Sequence, residues 1–371
     1  MNQSNYDELA VPGVRALRPY QPGKPIEELQ REYGIKDVIK LASNENPLGP
    51  SPDALQAIRD QLHELARYPD GNGFNLKQAL AHRYACATNQ FTLGNGSNDL
   101  LDVIARTFAS VADEVIFSQH AFAVYPLLAQ AIGATAIATP ARDWGHDLPA
   151  MADAISARTR LVFLANPNNP TGTWFDRVAL EAFMQRVPQR VMVVLDEAYY
   201  EYASRMAGAD YPDGMSLLAQ YPNLIITRTF SKAYGLAGLR VGYAVSHPDI
   251  ANLLNRVRQP FNVNSLALCA ATAALSDRNH LEKSVELNKQ GMHFYREHFQ
   301  RLGLDAIPSL GNFISVNVGD NAMGVYDALL RAGVIVRPVE NYAMPGFLRF
   351  SIGSEAENQR AIAALQDIIK Q

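Results

Sequence analysis

Cysteine is scarce in this chain: two residues in 371, Cys86 and Cys269. They lie far apart in apolar contexts, Tyr84-Ala-Cys-Ala and Leu266-Ala-Leu-Cys-Ala-Ala, so a disulfide scaffold and a cysteine-based metal site are excluded and both thiols read as reduced core residues. Net positive charge is missing too. Lys+Arg 33 against Asp+Glu 37 leaves −4, with no global basic field to hold nucleic acid or an anionic membrane, so any bound anion must be gripped locally. The longest nearly apolar stretch, Leu266 to Leu275, is far too short to span a bilayer. The amino end, Met1-Asn-Gln-Ser-Asn-Tyr-Asp-Glu, has neither a basic cluster nor an apolar core, so no secretory leader is read there and the cytoplasm is the expected compartment. No P-loop is found, no metal is expected, and Gly94-Asn-Gly96 lacks the third glycine of a dinucleotide fingerprint.

What remains is ordinary globular material, 48% apolar and 19% charged, long enough for two domains or one large domain with an appendage. Residues 1–43 read as an N-terminal arm, Pro-rich at Arg18-Pro-Tyr-Gln-Pro-Gly-Lys-Pro25 and helical from Ile26 to Tyr33. Turn formers follow, in Ser43-Asn-Glu-Asn-Pro-Leu-Gly-Pro-Ser-Pro52. From about 90 to 246, apolar β-branched runs alternate with amphipathic helical stretches. The runs start at Glu114, Ala134, Leu161, Val191, Leu224 and Val241, and they predict buried strands of a mainly parallel sheet in an α/β fold. Between two of them, Val178, Leu180, Phe183, Met184 and Val187 recur at helical spacing behind Asp176, a candidate N-cap. The pattern assigns 44–262 to a large domain and 263–371 to a smaller α+β domain, with ligands at the carboxyl ends of the strands.

Three of the strand candidates run straight into unusual polar clusters. Leu161-Val-Phe-Leu leads to Asn166-Pro-Asn-Asn-Pro-Thr-Gly172, Val191-Met-Val-Val-Leu to Asp196-Glu-Ala-Tyr199, and Leu224-Ile-Ile-Thr to a segment holding Thr229, Ser231, Lys232 and Arg240. If the strands are parallel neighbours, Asn169, Asp196 and Lys232 converge on one crevice. Read singly, Lys232 is a solvated surface lysine and Asp196 an N-cap or core ion pair. Read together they fit a different chemistry: a desolvated lysine is a Schiff-base nucleophile, and a part-buried carboxylate is what a protonated pyridine nitrogen needs. That pairing is the binding logic of pyridoxal 5'-phosphate, whose phosphate requires an anion site. Leu93-Gly-Asn-Gly-Ser-Asn98, opening the helical stretch Asp99 to Phe108, offers free N–H groups and a positive dipole end.

These motifs together resemble the fold type I aminotransferases. The arm, with Leu41-Ala-Ser-Asn-Glu-Asn-Pro47, Arg67-Tyr-Pro-Asp70 and Arg258-Gln-Pro-Phe-Asn-Val-Asn264, is similar to the histidinol-phosphate aminotransferase branch, and the likeness runs from about residue 9 to the C-terminus. The resemblance implies a mixed, mainly parallel sheet sandwiched by helices, and transamination between L-histidinol phosphate and 2-oxoglutarate. Alternative readings are an aromatic amino acid aminotransferase of the same branch, a related threonine-phosphate decarboxylase-like enzyme, and, from another class, a non-catalytic aminotransferase-like regulator. The resemblance gives Lys232 the Schiff base and proton shuttle, Asp196 the pyridine nitrogen, and Asn169 and Tyr199 the phenolic oxygen. It gives Gly96, Ser97, Asn98, Thr229, Ser231 and Arg240 the phosphate, and Phe122 the ring stack. Tyr68 would reach the cofactor of a second subunit, making the active form a homodimer with shared sites. Tyr20, Asn46, Arg337 and Arg349 would meet substrate, Arg349 gripping a carboxylate or phosphate. The sequence departs from some relatives in carrying Phe261 and Asn262 where they place a tyrosine near the substrate phosphate.

Overall fold

The computed structural model describes residues 6–20 and 22–370; Met1 to Asn5 of the amino end read above, Gln21 and Gln371 lie outside the described residues. The main sheet has seven strands among the described residues. In spatial order they are Phe91–Gly94, Gly242–Val245, Leu224–Thr229, Met192–Asp196, Thr159–Ala165, Glu114–Ser118 and Thr135–Thr139. Gly242–Val245 runs antiparallel to both neighbours and every other pairing is parallel. The apolar runs are therefore the strands they predict, because a sheet covered by helices on both faces leaves no side of a central strand in water. The edge strand Thr135–Thr139 is mostly exposed. Ala165, Asp196 and Thr227 stand opposite one another in register, so the segments after them leave the sheet at one edge.

Local chemistry sets the helices. Asp176 caps Arg177–Arg186 by accepting from the Ala179 N–H at 2.8 Å, and Leu180, Phe183 and Met184 are buried. Val178, which spacing alone groups with them, is 75% exposed on the opposite face. The strand Phe91–Gly94 lies within what reads in sequence as the lead-in to a glycine turn, and the helix behind it starts at Ser97 rather than Asp99. Cys86 and Cys269 are free, as expected, but half-buried rather than core.

The C-terminal layer is a three-stranded antiparallel sheet, Phe313–Asn317 beside Phe347–Ser351 beside Arg337–Pro338, covered by Arg278–Arg301, Ala322–Arg331 and Glu355–Ile369. The arm joins it: Ile39–Lys40 pairs parallel with Val334–Ile335, and Leu29 packs with Ala42, Leu330 and Ile335. Helix Ser265–Ser276 buries Ala267, Ala270, Ala271 and Ala274 in the same apolar cluster as Phe91, Leu93 and Tyr243 of the main sheet and Leu281 and Phe313 of the C-terminal layer. It lies beside helices Pro52–Gln61 and Phe74–Tyr84.

Behind the sheet edge lies a fully buried ion pair. Arg228 alternates with Thr227 and Thr229 along its strand and so faces away from them. Its guanidinium donates to Glu197 through Nε at 2.8 Å and lies 2.7 Å from the same carboxylate through Nη2, with the Tyr200 ring 3.4 Å from its centre. Removing one partner of such a pair leaves a charge with no water to solvate it. Arg228→Ala should therefore cost about 3–5 kcal/mol, read as a fall in the urea midpoint, whereas a neutral surface change such as Arg256→Ala should stay within about 0.5 kcal/mol.

Candidate active site

A cavity of about 250 Å³ opens where the three polar clusters leave the sheet. Ser97, Asn98, Phe122, Asn169, Asp196, Tyr199, Thr229, Ser231, Lys232 and Arg240 line it from the large domain, and Tyr20, Arg337 and Arg349 from the arm and the C-terminal layer. Residues separated by more than 300 positions thus meet in one space.

At the floor, Asp196 is buried at the end of its strand. Its Oδ2 accepts from the Tyr125 hydroxyl at 2.8 Å, while Oδ1 has no partner at hydrogen-bonding geometry. Desolvation raises the pKa of the carboxyl, opposed by the Tyr125 and Thr227 hydroxyls and the Ala198 N–H. Tyr125 is itself fully buried, stacked on Phe163 at 4.7 Å between ring centres. Sequence reasoning names Phe122 from the same segment and misses Tyr125.

Lys232 opens to the cavity and is otherwise enclosed by protein. Its Nζ donates to the Ser43 carbonyl at 3.0 Å. Its pKa falls to about 7, first through desolvation and then through Arg349, with Arg240 and Lys40 adding to the effect and Glu45 opposing it. A primary amine that is half unprotonated at neutrality is a nucleophile and a base in one group.

One wall is built for an anion. Helix Ser97–Phe108 begins after Gly96 at φ +87, with no side chain capping its first N–H groups. A Cβ on Gly96 would lie 2.3 Å from Arg240 Nη2, so only glycine lets that guanidinium approach. Arg240 Nη1 donates to Ser231 Oγ at 3.2 Å, and Thr229 Oγ1 donates to Ser231 Oγ at 3.0 Å.

The opposite wall holds two arginines. Arg337 and Arg349 stand directly opposite each other on neighbouring strands, both nearly fully buried. Two guanidinium groups in that register can grip one anion between them. Arg349 donates to Asn169 Oδ1 through Nη1 and to the Ala42 carbonyl through Nη2 at 2.7 Å, and its Nε has no partner. The Tyr20 ring centre lies 5.7 Å from the Arg337 guanidinium.

Two of the residues named from sequence lie outside this cavity. Asn46 does not line the cavity: its amide donates to the Ala233 carbonyl and to Ser284 Oγ, both at 2.9 Å, and it braces the lysine turn from behind. Its neighbour Asn44 is the one that reaches the site, donating to Tyr199 Oη at 2.9 Å. Tyr68 is 82% exposed outside the cavity, stacked on Phe261. Asn262 holds the glycine turn before helix Ser97–Phe108, donating to the Leu93 carbonyl at 3.1 Å and to Asp99 Oδ2 at 3.0 Å.

A family model for class I and II aminotransferases matches residues 36–365. Histidinol-phosphate aminotransferase 2 of Pseudomonas fluorescens (strain Pf0-1) is 59% identical over 367 residues, which cover 98% of each chain. The chain belongs to the histidinol-phosphate aminotransferases. Histidinol-phosphate aminotransferase 1 of Nitrosococcus oceani is 56% identical over the full length of both chains. Among solved structures, the histidinol-phosphate aminotransferase of Sinorhizobium meliloti, in complex with pyridoxal 5'-phosphate, superposes with a TM-score of 0.88 at 31% identity, covering 97% of each chain. Fold type I architecture, with its mainly parallel mixed sheet, is therefore both observed directly and shared with relatives of known structure.

The Lys232 environment makes a measurable difference. In the cofactor-free protein, acylation of Lys232 by a limiting amine reagent, followed by peptide mass mapping, should rise with pH to half its maximum at about 7. A half-maximum near 10.5, the ordinary lysine value, would mean that the amine is solvated.

Proposed function

We propose that this chain transfers the amino group of L-histidinol phosphate to 2-oxoglutarate, giving imidazole acetol phosphate and L-glutamate, the transamination of histidine biosynthesis. The carrying observation is the juxtaposition, in one cavity, of the desolvated Lys232 amine, the buried Asp196 carboxylate with one oxygen unpartnered, and two separate cationic walls. The relatives supply the identity of the substrate.

Those residues fit pyridoxal 5'-phosphate. The orphaned Asp196 Oδ1 is an acceptor awaiting a buried donor such as a pyridine N–H, and the uncapped helix at Ser97, with Arg240, Ser231 and Thr229, is a set of donors awaiting an oxyanion. When bound, the cofactor supplies an electron sink that lets an amino acid release its α-proton and give up its amino group. Asp196 would keep the ring nitrogen protonated, Asn169 and Tyr199 would hydrogen-bond the ring oxygen, and Phe122 would pack on the ring. Lys232 would anchor the cofactor and, once displaced by substrate, take up the substrate's α-proton at Nζ and deliver it to the cofactor carbon that had carried the lysine. An amine with a pKa near 7 does both at neutral pH. Arg349 and Arg337, with Tyr20, would hold the substrate's own anion, so one pocket accepts histidinol phosphate and the dicarboxylate in turn. Turnover is then ping-pong.

The active form in this reading is a cytoplasmic homodimer. Tyr68 and Phe261, stacked and facing solvent together, are the kind of aromatic pair a second subunit would cover, and Tyr68 would reach that subunit's cofactor phosphate.

Steady-state kinetics test the reading. The value of kcat/KM for histidinol phosphate should exceed those for phenylalanine and threonine phosphate, with parallel double-reciprocal lines when 2-oxoglutarate is varied. Lys232→Ala should lower kcat roughly 10^4-fold. A preference for phenylalanine or threonine phosphate contradicts the substrate, and full activity in the lysine variant contradicts the mechanism.

A further inference from the structure

Three consecutive residues of the turn-forming tract each meet a different side chain of the cavity. The Ala42 carbonyl accepts from Arg349, the Ser43 carbonyl accepts from Lys232, and the Asn44 amide donates to Tyr199 Oη. The first two contacts are carbonyls, which any residue could provide. The third depends on the side chain.

Asn44 is built into its place. It is 1% exposed and left-handed at φ +56, a conformation that asparagine tolerates better than most residues. Its N–H donates to Ser351 Oγ at 2.8 Å, the Ser351 hydroxyl donates back to Asn44 Oδ1 at 3.0 Å, and its carbonyl accepts from Asn312 Nδ2 at 2.9 Å. With Oδ1 taken by Ser351, Nδ2 is the amide atom left to face Tyr199. Ser351 lies two residues beyond Arg349 on the strand Phe347–Ser351 and so shares its face.

We propose that Asn44 is a positioning residue: it fixes the Tyr199 hydroxyl as a donor toward the cavity and ties it to the strand that carries Arg349. A phenol has a single proton, and an oxygen that accepts from Nδ2 must aim that proton elsewhere. The groups around Tyr199 leave few takers. In that reading Asp196 Oδ1 is taken by the ring nitrogen and Lys232 by the cofactor, Asp196 Oδ2 is already engaged by Tyr125, and Arg349 is a donor only. Burial pushes the Tyr199 phenol up to about 12, against the lowering influence of Arg349 and Asn44, so the proton stays on the oxygen at working pH. The proposal rests on the reading above, in which Tyr199 meets the ring oxygen of the bound cofactor. A donor there weakens the internal hydrogen bond that retains the proton on the lysine nitrogen, so losing the donor raises the pH at which that proton leaves.

The experiment is a pH titration of the visible absorbance of the holoenzyme in four forms: wild type, Tyr199→Phe, Asn44→Gly and the double variant. Glycine accepts the left-handed backbone and deletes only the amide. Tyr199→Phe should raise the midpoint by about one pH unit, the scale of one hydrogen bond. Asn44→Gly should raise it by a smaller amount, and in the Tyr199→Phe background it should add nothing, because a residue acting through Tyr199 has no effect once that hydroxyl is gone. Two results overturn the proposal: a wild-type midpoint in Asn44→Gly while Tyr199→Phe is raised, or an Asn44→Gly shift that persists in the double variant. An unmoved midpoint in Tyr199→Phe overturns the ring-oxygen reading itself, and the proposal with it. Should Asn44→Gly not fold, Ser351→Ala, which frees the amide to turn, is read by the same criteria.

Discussion

A lysine amine taken out of water and set among arginines gives up its proton far more readily than a solvated one, so that at neutral pH it is only half protonated, and the rest of the structure is arranged around that constraint. The parallel strands deliver Asp196 and the segments bearing Asn169 and Lys232 to one edge. The tract at 42–44 closes over that edge, giving Lys232 a carbonyl acceptor, while Glu45 only partly offsets the loss of water and the nearby cations. Arg349, brought from the C-terminal layer, adds repulsion to desolvation. The same arginine is short of acceptors itself, so a substrate anion that satisfies it also relieves its pressure on the amine. Anion binding and lysine protonation are coupled by position alone.

The slightly acidic chain handles phosphate without a basic surface because each anion site is local. On one wall an uncapped helix end, two hydroxyls and Arg240 work at short range; on the other, two buried arginines face each other across a strand pair. Each arrangement gathers donors at short range, which lets a site hold an anion without a large net charge.

Much of this was legible in the sequence because it depends on local pattern. Buried strands read as apolar runs, and the groups following them have chemistry that makes sense only together, so Lys232, Asp196, Asn169 and Arg240 group from the sequence alone. What was not legible depends on direction. Asn44 and Asn46 sit in the same tract, and a left-handed turn at Asn44 decides which amide faces the cavity and which faces Ala233 and Ser284. Phe122 and Tyr125 are three residues apart, and composition does not reveal that the second one meets Asp196. The helix Ser265–Ser276 reads from the sequence only as alanine-rich, which does not reveal that its buried face meets the main sheet. Tyr68 stacks on Phe261 and points into solvent, which its motif does not announce.

The central claim is that Lys232 is the cofactor-bearing amine. Its most direct test is borohydride reduction of the purified holoenzyme, followed by proteolysis and mass mapping. The account predicts a phosphopyridoxyl mass on the single peptide containing Lys232, with loss of the visible absorbance. Label on another lysine, or absorbance that survives reduction with no label at Lys232, would contradict it.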